Sequence, residues 1–159
     1  MALVSVDTGV HHSFPLSLFL AFTGTHLIAA DLSVSSYPSL QDALTANPGK
    51  QIFVPAGDYV IQEKLRIRGD RAGLFGPGRI IQERSDQPIL EIENAEGVEI
   101  RDLTLTRPDG NQDTRSEAIL AIKCRDLVID NVRVIDNRTA SGAITVRESN
   151  CLLYTSPSP

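Results

Sequence analysis

From residue 98 onward apolar residues alternate with polar ones, and the alternation slips twice in the same way. In 98–105 the apolar positions are Val98 and Ile100 and then, past Asp102, Leu103 and Leu105; in 127–134 they are Leu127 and Ile129 and then, past Asn131, Val132 and Val134. A period of two places alternate residues on one face of a strand, and a single inserted residue exchanges the faces unless the chain turns there. The pattern therefore predicts two short strands meeting at a one-residue corner, with the aliphatic groups of both strands inside. Asp and Asn suit such a corner, because their short polar side chains tolerate the left-handed region and bond nearby main chain. Leu103 and Val132 occupy matching positions 29 residues apart, which is long enough for the chain to circle once and lie on itself. Burying four aliphatic side chains per unit yields about 6–12 kcal/mol, while ordering its eight residues costs about 12 kcal/mol. One coil alone about breaks even, so each is expected to pack on its neighbours through parallel ladders.

The same rhythm reaches upstream and downstream. Short apolar runs at 52–54, 59–61, 65–67 and 80–81 arrive with turns between them, and the glycine-rich stretch 69–78 reads as turns. Residues 89–92 lead into the first corner unit, 118–122 into the second, and 143–146 open a third copy. Only one segment has helical spacing. Ser39 is placed as an N-cap with Asp42 to answer it, Leu40, Ala43 and Leu44 share one face, and Asn47-Pro48-Gly49 ends the run. A short helix over 39–46 is expected to cover the open end of the stack, as terminal caps of repeat proteins do.

Both ends of the chain read differently from its body. Residues 1–30 contain no Lys or Arg, and their apolar run at 14–22 is too short to span a bilayer. With Leu27-Ile28-Ala29-Ala30 before Asp31, the segment reads as a secretory signal peptide lacking the usual basic start, the alternative being a buried N-terminal strand or helix. Residues 151–159, Cys151 to Pro159, break the preceding pattern and resemble a translated adapter of the kind used to prepare sequencing libraries; an ordinary Ser/Pro-rich tail is the alternative. The expected organisation is a signal peptide at 1–30, the N-terminal part of a repeat domain at 31–150, and a non-native tail at 151–159.

Composition narrows the chemistry. A formal net charge of −5 argues against a nucleic-acid-binding surface. His11, His12 and His26 all fall in the leader, so the body holds no histidine for a triad, a zinc site or general-base work. Cys124 is the one cysteine of the body and, between Ile122 and Leu127, reads as a small buried hydrophobe.

Over about 37–150 the chain resembles the right-handed parallel β-helix proteins of the pectate-lyase-like superfamily. The resemblance rests on the Ser39-Leu40-Gln41-Asp42-Ala43-Leu44 cap, on Val54-Pro55-Ala56-Gly57-Asp58-Tyr59, on Gly73-Leu74-Phe75-Gly76-Pro77-Gly78, and on the two corner units. It implies an all-β right-handed parallel β-helix, a solenoid whose N-terminal coils carry a short capping helix. It also implies a secreted, periplasmic or cell-surface protein without a membrane span that acts on polysaccharide. Members of the superfamily are lyases, often with Ca²⁺ held by aspartates, and hydrolases with paired aspartates. The expectation is an exported carbohydrate-active protein, a lyase or hydrolase of an acidic polysaccharide, truncated before its catalytic coils. The alternative is a non-catalytic surface or adhesin β-helix that binds glycans or serves as a scaffold.

Candidate binding residues lie in 107–117, the longest polar interruption between strands. Loops projected from a rigid stack commonly carry binding groups. Arg107 and Arg115 are expected to face a uronate carboxylate and Asp109 and Asp113 to hold a cation, the alternative being a solvated loop. Asp126, Asp130 and Asp136, clustered in sequence, read as corner or ladder residues, the alternative being paired carboxylates. Asn137-Arg138-Thr139 is a formal glycosylation sequon.

Overall fold

A computed structural model describes residues 32–155; residues 1–31, with the three histidines and the segment expected to be a signal peptide, and residues 156–159 lie outside the described residues. The described chain winds as a parallel β-solenoid of about four coils, each contributing one strand to each of three sheets. The first coil holds β1 (Gln51–Phe53), β2 (Asp58–Ile61) and β3 (Leu65–Ile67), and the second β4 (Gly73–Phe75), β5 (Arg79–Gln82) and β6 (Leu90–Glu93). The third holds β7 (Glu99–Arg101), β8 (Thr104–Thr106) and β9 (Ile119–Ile122), and the fourth β10 (Arg125–Asp130), β11 (Arg133–Val134) and β12 (Ile144–Arg147). A last strand, β13 (Asn150–Thr155), begins another circuit. Sheet A is ordered β1-β4-β7-β10-β13, sheet B β2-β5-β8-β11 and sheet C β3-β6-β9-β12.

Register stacks like on like. In sheet A, Ile52, Leu74, Ile100 and Ile129 lie one above another, all 0% exposed. Leu65, Leu90, Ile119 and Ile144 form a matching inner column in sheet C. Leu103 and Val132 occupy adjacent coils as the sequence pattern requires: both are buried, and the Arg133 N–H donates to the Leu103 carbonyl at 2.9 Å. Between the paired strands, Asp102 (φ 60°) and Asn131 (φ 50°) make left-handed corners, and Asn131 Nδ2 donates to Asp102 Oδ1 at 2.7 Å. A second series of left-handed corners follows sheet C at Asn94, Lys123 and Glu148. Lys and Glu have no local preference for that conformation, so the register of the stack imposes it there.

The stretch 69–78, read as turns, contains a central strand. Gly73 pairs with Gln51 on one side and Glu99 on the other, and a Cβ added there would lie 2.0 Å from the Glu99 carbonyl oxygen. Glycine is present because the neighbouring coil approaches too closely for a side chain.

The predicted cap is α1 (Leu40–Ala46), with Ser39 as N-cap. Ser39 Oγ accepts from the Asp42 N–H at 3.1 Å and donates to Asp42 Oδ2 at 2.7 Å, while Leu40, Ala43 and Leu44 are buried against the stack. The side chain of Gln41 closes the free edge of β3: its Oε1 accepts from the Arg66 N–H at 2.9 Å and its Nε2 donates to the Arg66 carbonyl at 3.5 Å. Leu32 does the same for β1, its carbonyl accepting from the Phe53 N–H at 2.7 Å. Unpaired strand edges invite other chains, and these contacts remove two of them.

At the opposite end β13 pairs with β10 from Arg125↔Asn150 to Asp130↔Thr155. This strand contains residues set apart in the sequence as a tail. The ladder uses main-chain groups that any residue except proline supplies, so the pairing reflects the edge that β10 offers. Leu152, Leu153 and Tyr154 remain about half exposed, unlike the inner residues of earlier coils.

Candidate functional site

The connectors from sheet B to sheet C lie one above another at a single corner. They run short at 62–64, longer at 83–89, longest at 107–118 and again long at 135–143. Main-chain and side-chain bonds lace them into one ridge. The Arg115 N–H donates to the Ser85 carbonyl at 3.0 Å, Asn111 Nδ2 to the Glu83 carbonyl at 2.7 Å, and the Arg138 N–H to the Gln112 carbonyl at 2.7 Å. Thr114 Oγ1 adds a bond to the Ser85 carbonyl at 2.5 Å.

Arg107 is the centre of this lacing. Only 2% exposed, it donates from Nε to Asn137 Oδ1 at 2.6 Å, from Nη2 to the Gln87 carbonyl at 2.8 Å, and from Nη1 to the Arg84 carbonyl. Its guanidinium is turned inward, away from any uronate in solvent, and desolvation holds its pKa below the usual arginine value. Arg115 is exposed, so the two arginines expected to act together point to different surroundings. Asp109 accepts from Gln112 Nε2 at 3.1 Å, and Asp113 lies 3.8 Å from Arg138. Among the described residues no three His, Cys, Asp or Glu side chains gather as a metal centre. The calcium implied by the resemblance finds no fitting donor set here, because Asp109 and Asp113 are directed at separate partners.

The other carboxylates are largely engaged. Arg79 holds Asp58 in a forked pair at 2.8 and 2.7 Å, a bond that keeps the Asp58 carboxyl below the ordinary range. Arg84 bonds Asp86 and Glu63, and the Arg84 bond likewise lowers Asp86. Glu96 pairs with Arg125 at 2.7 Å. Asp126 and Asp136 adopt left-handed corners and Asp130 accepts from the Thr155 hydroxyl, so these three serve corners and ladders. Asn137, the sequon residue, has its oxygen on Arg107, while its Nδ2 is the one buried side-chain polar atom without a partner among the described residues.

A feature that the sequence reading missed lies at the first coil. Lys64-Leu65-Arg66-Ile67-Arg68 alternates cation with aliphatic, so Leu65 and Ile67 enter the core while the cations face outward together. With α1 as a wall, they line a groove of about 480 Å³. On the next coil Glu91, 9% exposed, sits between two of them, bonding Lys64 and, at 3.3 Å, Arg66. The signal was present as an uninterrupted period of two, legible once the helix at 40–46 is known to face it.

Among the described residues no helix is long and apolar enough to cross a membrane. No protein-family model, curated protein or solved structure matches the chain.

Proposed function

We propose that this is an exported carbohydrate-active β-helix protein that acts on an acidic polysaccharide, as a lyase or hydrolase of the pectate-lyase-like kind. The observation that carries the polysaccharide part is the continuous corner ridge at 83–89, 107–118 and 135–143, a set of polar connectors held in register by a rigid stack. A long polymer needs a long, preorganised surface, and bonded connectors present their outer groups without a further ordering cost. The lyase or hydrolase part rests on the sequence resemblance. Fold alone does not fix chemistry.

One observation favours the non-catalytic reading, a glycan-binding scaffold, for the described coils. Hydrolysis needs two carboxylates free to exchange protons across a glycosidic bond. Asp58, Glu63, Asp86, Glu91 and Glu96 are instead engaged with Arg or Lys.

The test incubates the full chain with polygalacturonate and with alginate, following unsaturated product by ultraviolet absorbance, new reducing ends by colorimetry, and retention by affinity electrophoresis. Product formation supports the enzyme; retention without product supports the scaffold. Neither retention nor product, on either polymer, overturns the proposal.

A further inference from the structure

We propose that the groove between α1 and β3 is a subsite for a carboxylate-bearing sugar, with Arg68 as its contact residue; this rests on the acidic-polysaccharide reading above. The outer face of β3 brings three cations together by strand alternation, and their charges are unequally engaged. Glu91 offsets Lys64 and Arg66 from the next coil, and Glu63 is taken by Arg84. Arg68 is exposed, lines the groove, and makes no ion pair among the described residues. The groove thus keeps a local positive excess on a chain of net charge −5, which attracts a carboxylate there while the rest of the surface repels it.

The wall opposite the cations is fixed before any ligand arrives. Gln41 is bonded to both main-chain groups of Arg66, so α1 cannot swing away without freeing the edge of β3. Pro48, exposed at the end of α1, lines the groove and gives an apolar patch for the C–H face of a sugar. A guanidinium offers two parallel N–H bonds to a carboxylate, a match that an ester lacks in charge. The groove also continues into the corner ridge. The Lys64 N–H donates to Gln87 Oε1 at 3.1 Å, and Glu63 meets Arg84 at 3.1 Å. A chain lying along the ridge would enter the groove at its first coil.

The experiment titrates hexagalacturonate, and the same oligomer fully methyl-esterified, into the full chain by calorimetry. Arg68→Ala is compared with Arg133→Ala, which removes an exposed cation from the outer face of sheet B. Arg68→Ala should weaken the uronate oligomer roughly tenfold, flatten the salt dependence, and leave the melting temperature unchanged. Arg133→Ala should bind as the parent does, and the ester should bind weakly throughout. If the parent binds the uronate and Arg68→Ala binds it equally well, or if Arg133→Ala loses as much, the groove assignment is overturned and the acidic-polysaccharide reading stands. If the parent binds neither oligomer, or both alike, the acidic reading falls and the groove falls with it.

Discussion

Arg107 and Arg115 lie in one connector and look equivalent in sequence, yet replacing them should have very unequal consequences for stability. Arg107→Met keeps most of the buried stem and removes the guanidinium. The carbonyls of Arg84 and Gln87 then lose their donor in a partly buried place beneath the connectors. Each such orphan costs about 1–3 kcal/mol. Asn137, whose Nδ2 already lacks a partner, loses its remaining bond to Arg107. Part of this is offset, because burying the cation is itself unfavourable, as its lowered pKa indicates. The net loss is about 2–4 kcal/mol, which at about 4 °C per kcal/mol for a chain of this size lowers the melting temperature by about 8–16 °C. Arg115→Ala leaves intact the one bond described for that residue, from its N–H to the Ser85 carbonyl, and should stay within about 0.5 kcal/mol of the parent. Thermal and urea unfolding followed by circular dichroism measure both. An Arg107→Met protein melting within about 2 °C of the parent, or an Arg115→Ala protein falling equally far, would refute the structural role given to Arg107.

Gly73→Ala should prevent folding, since its Cβ would lie 2.0 Å from the Glu99 carbonyl oxygen, whereas Gly110→Ala meets nothing within 4 Å and pays only for its φ of 89°, about 1 kcal/mol; soluble yield and melting separate the two. Asn131→Val puts a β-branched residue at φ 50° and deletes the bond to Asp102, costing about 2–3 kcal/mol, while Asn131→Gly stays below about 1 kcal/mol; equal unfolding midpoints would contradict the corner assignment. Asp58 has a folded-state pKa depressed by the Arg79 bond, so its stabilising contribution is present above the ordinary carboxylate pKa and is lost as pH falls through the folded value. The stability gap between the parent and Asp58→Asn should therefore close on acidification, and a gap that widened would reverse the sign of the argument. A polypeptide of residues 32–155 leaves Ile144, Val146, Leu152 and Tyr154 around a hollow of about 380 Å³ beside the edges of β12 and β13, and should self-associate at micromolar concentration. Sedimentation showing a monomer would count against that.

The sequence revealed the coil because the inner positions obey a strict period of two and the corners fall on Asp102 and Asn131, residue types with a local reason to be there. Where the local reason is absent the corner was invisible: Lys123 and Glu148 adopt the same conformation as Asn94 only because the neighbouring coil sets the register. β4 was hidden for the converse reason. Glycine argues for a turn when read alone, and only the approach of the Glu99 carbonyl explains why a strand centre needs one. For the site, the connector at 107–118 was legible as a polar interruption, but which of its side chains turn inward was not. Arg107 follows Thr106 at the end of β8, where the period of two continues one step past the strand and carries the side chain inside. The cationic face of β3 went unread because its wall, α1, is supplied by residues some twenty positions earlier.

Polarity inside the stack and projection outside it are linked. In sheet B the inner column runs Tyr59, Ile80, Leu105 and Val134, all aliphatic or aromatic. At the next inward position the second coil has Gln82, paired with Ile61, and the third has Arg107, both buried. The change coincides with the connectors that swell outward. A strand that leaves its sheet strips its last carbonyls of ladder partners, and those groups need donors wherever water cannot reach. Gln82 donates to the Pro88 carbonyl at 3.3 Å, and its Oε1 accepts from the Arg84 N–H at 3.1 Å; Arg107 serves the Arg84 and Gln87 carbonyls in turn. The connector at 83–89 is thus held from two sides, by an amide beneath it and by a guanidinium reaching from the next coil, which also bonds Asn137 in 135–143. The buried arginine is what lets an irregular ridge sit rigidly on a regular stack. Its position at the root of the ridge, rather than on its surface, follows from the same requirement.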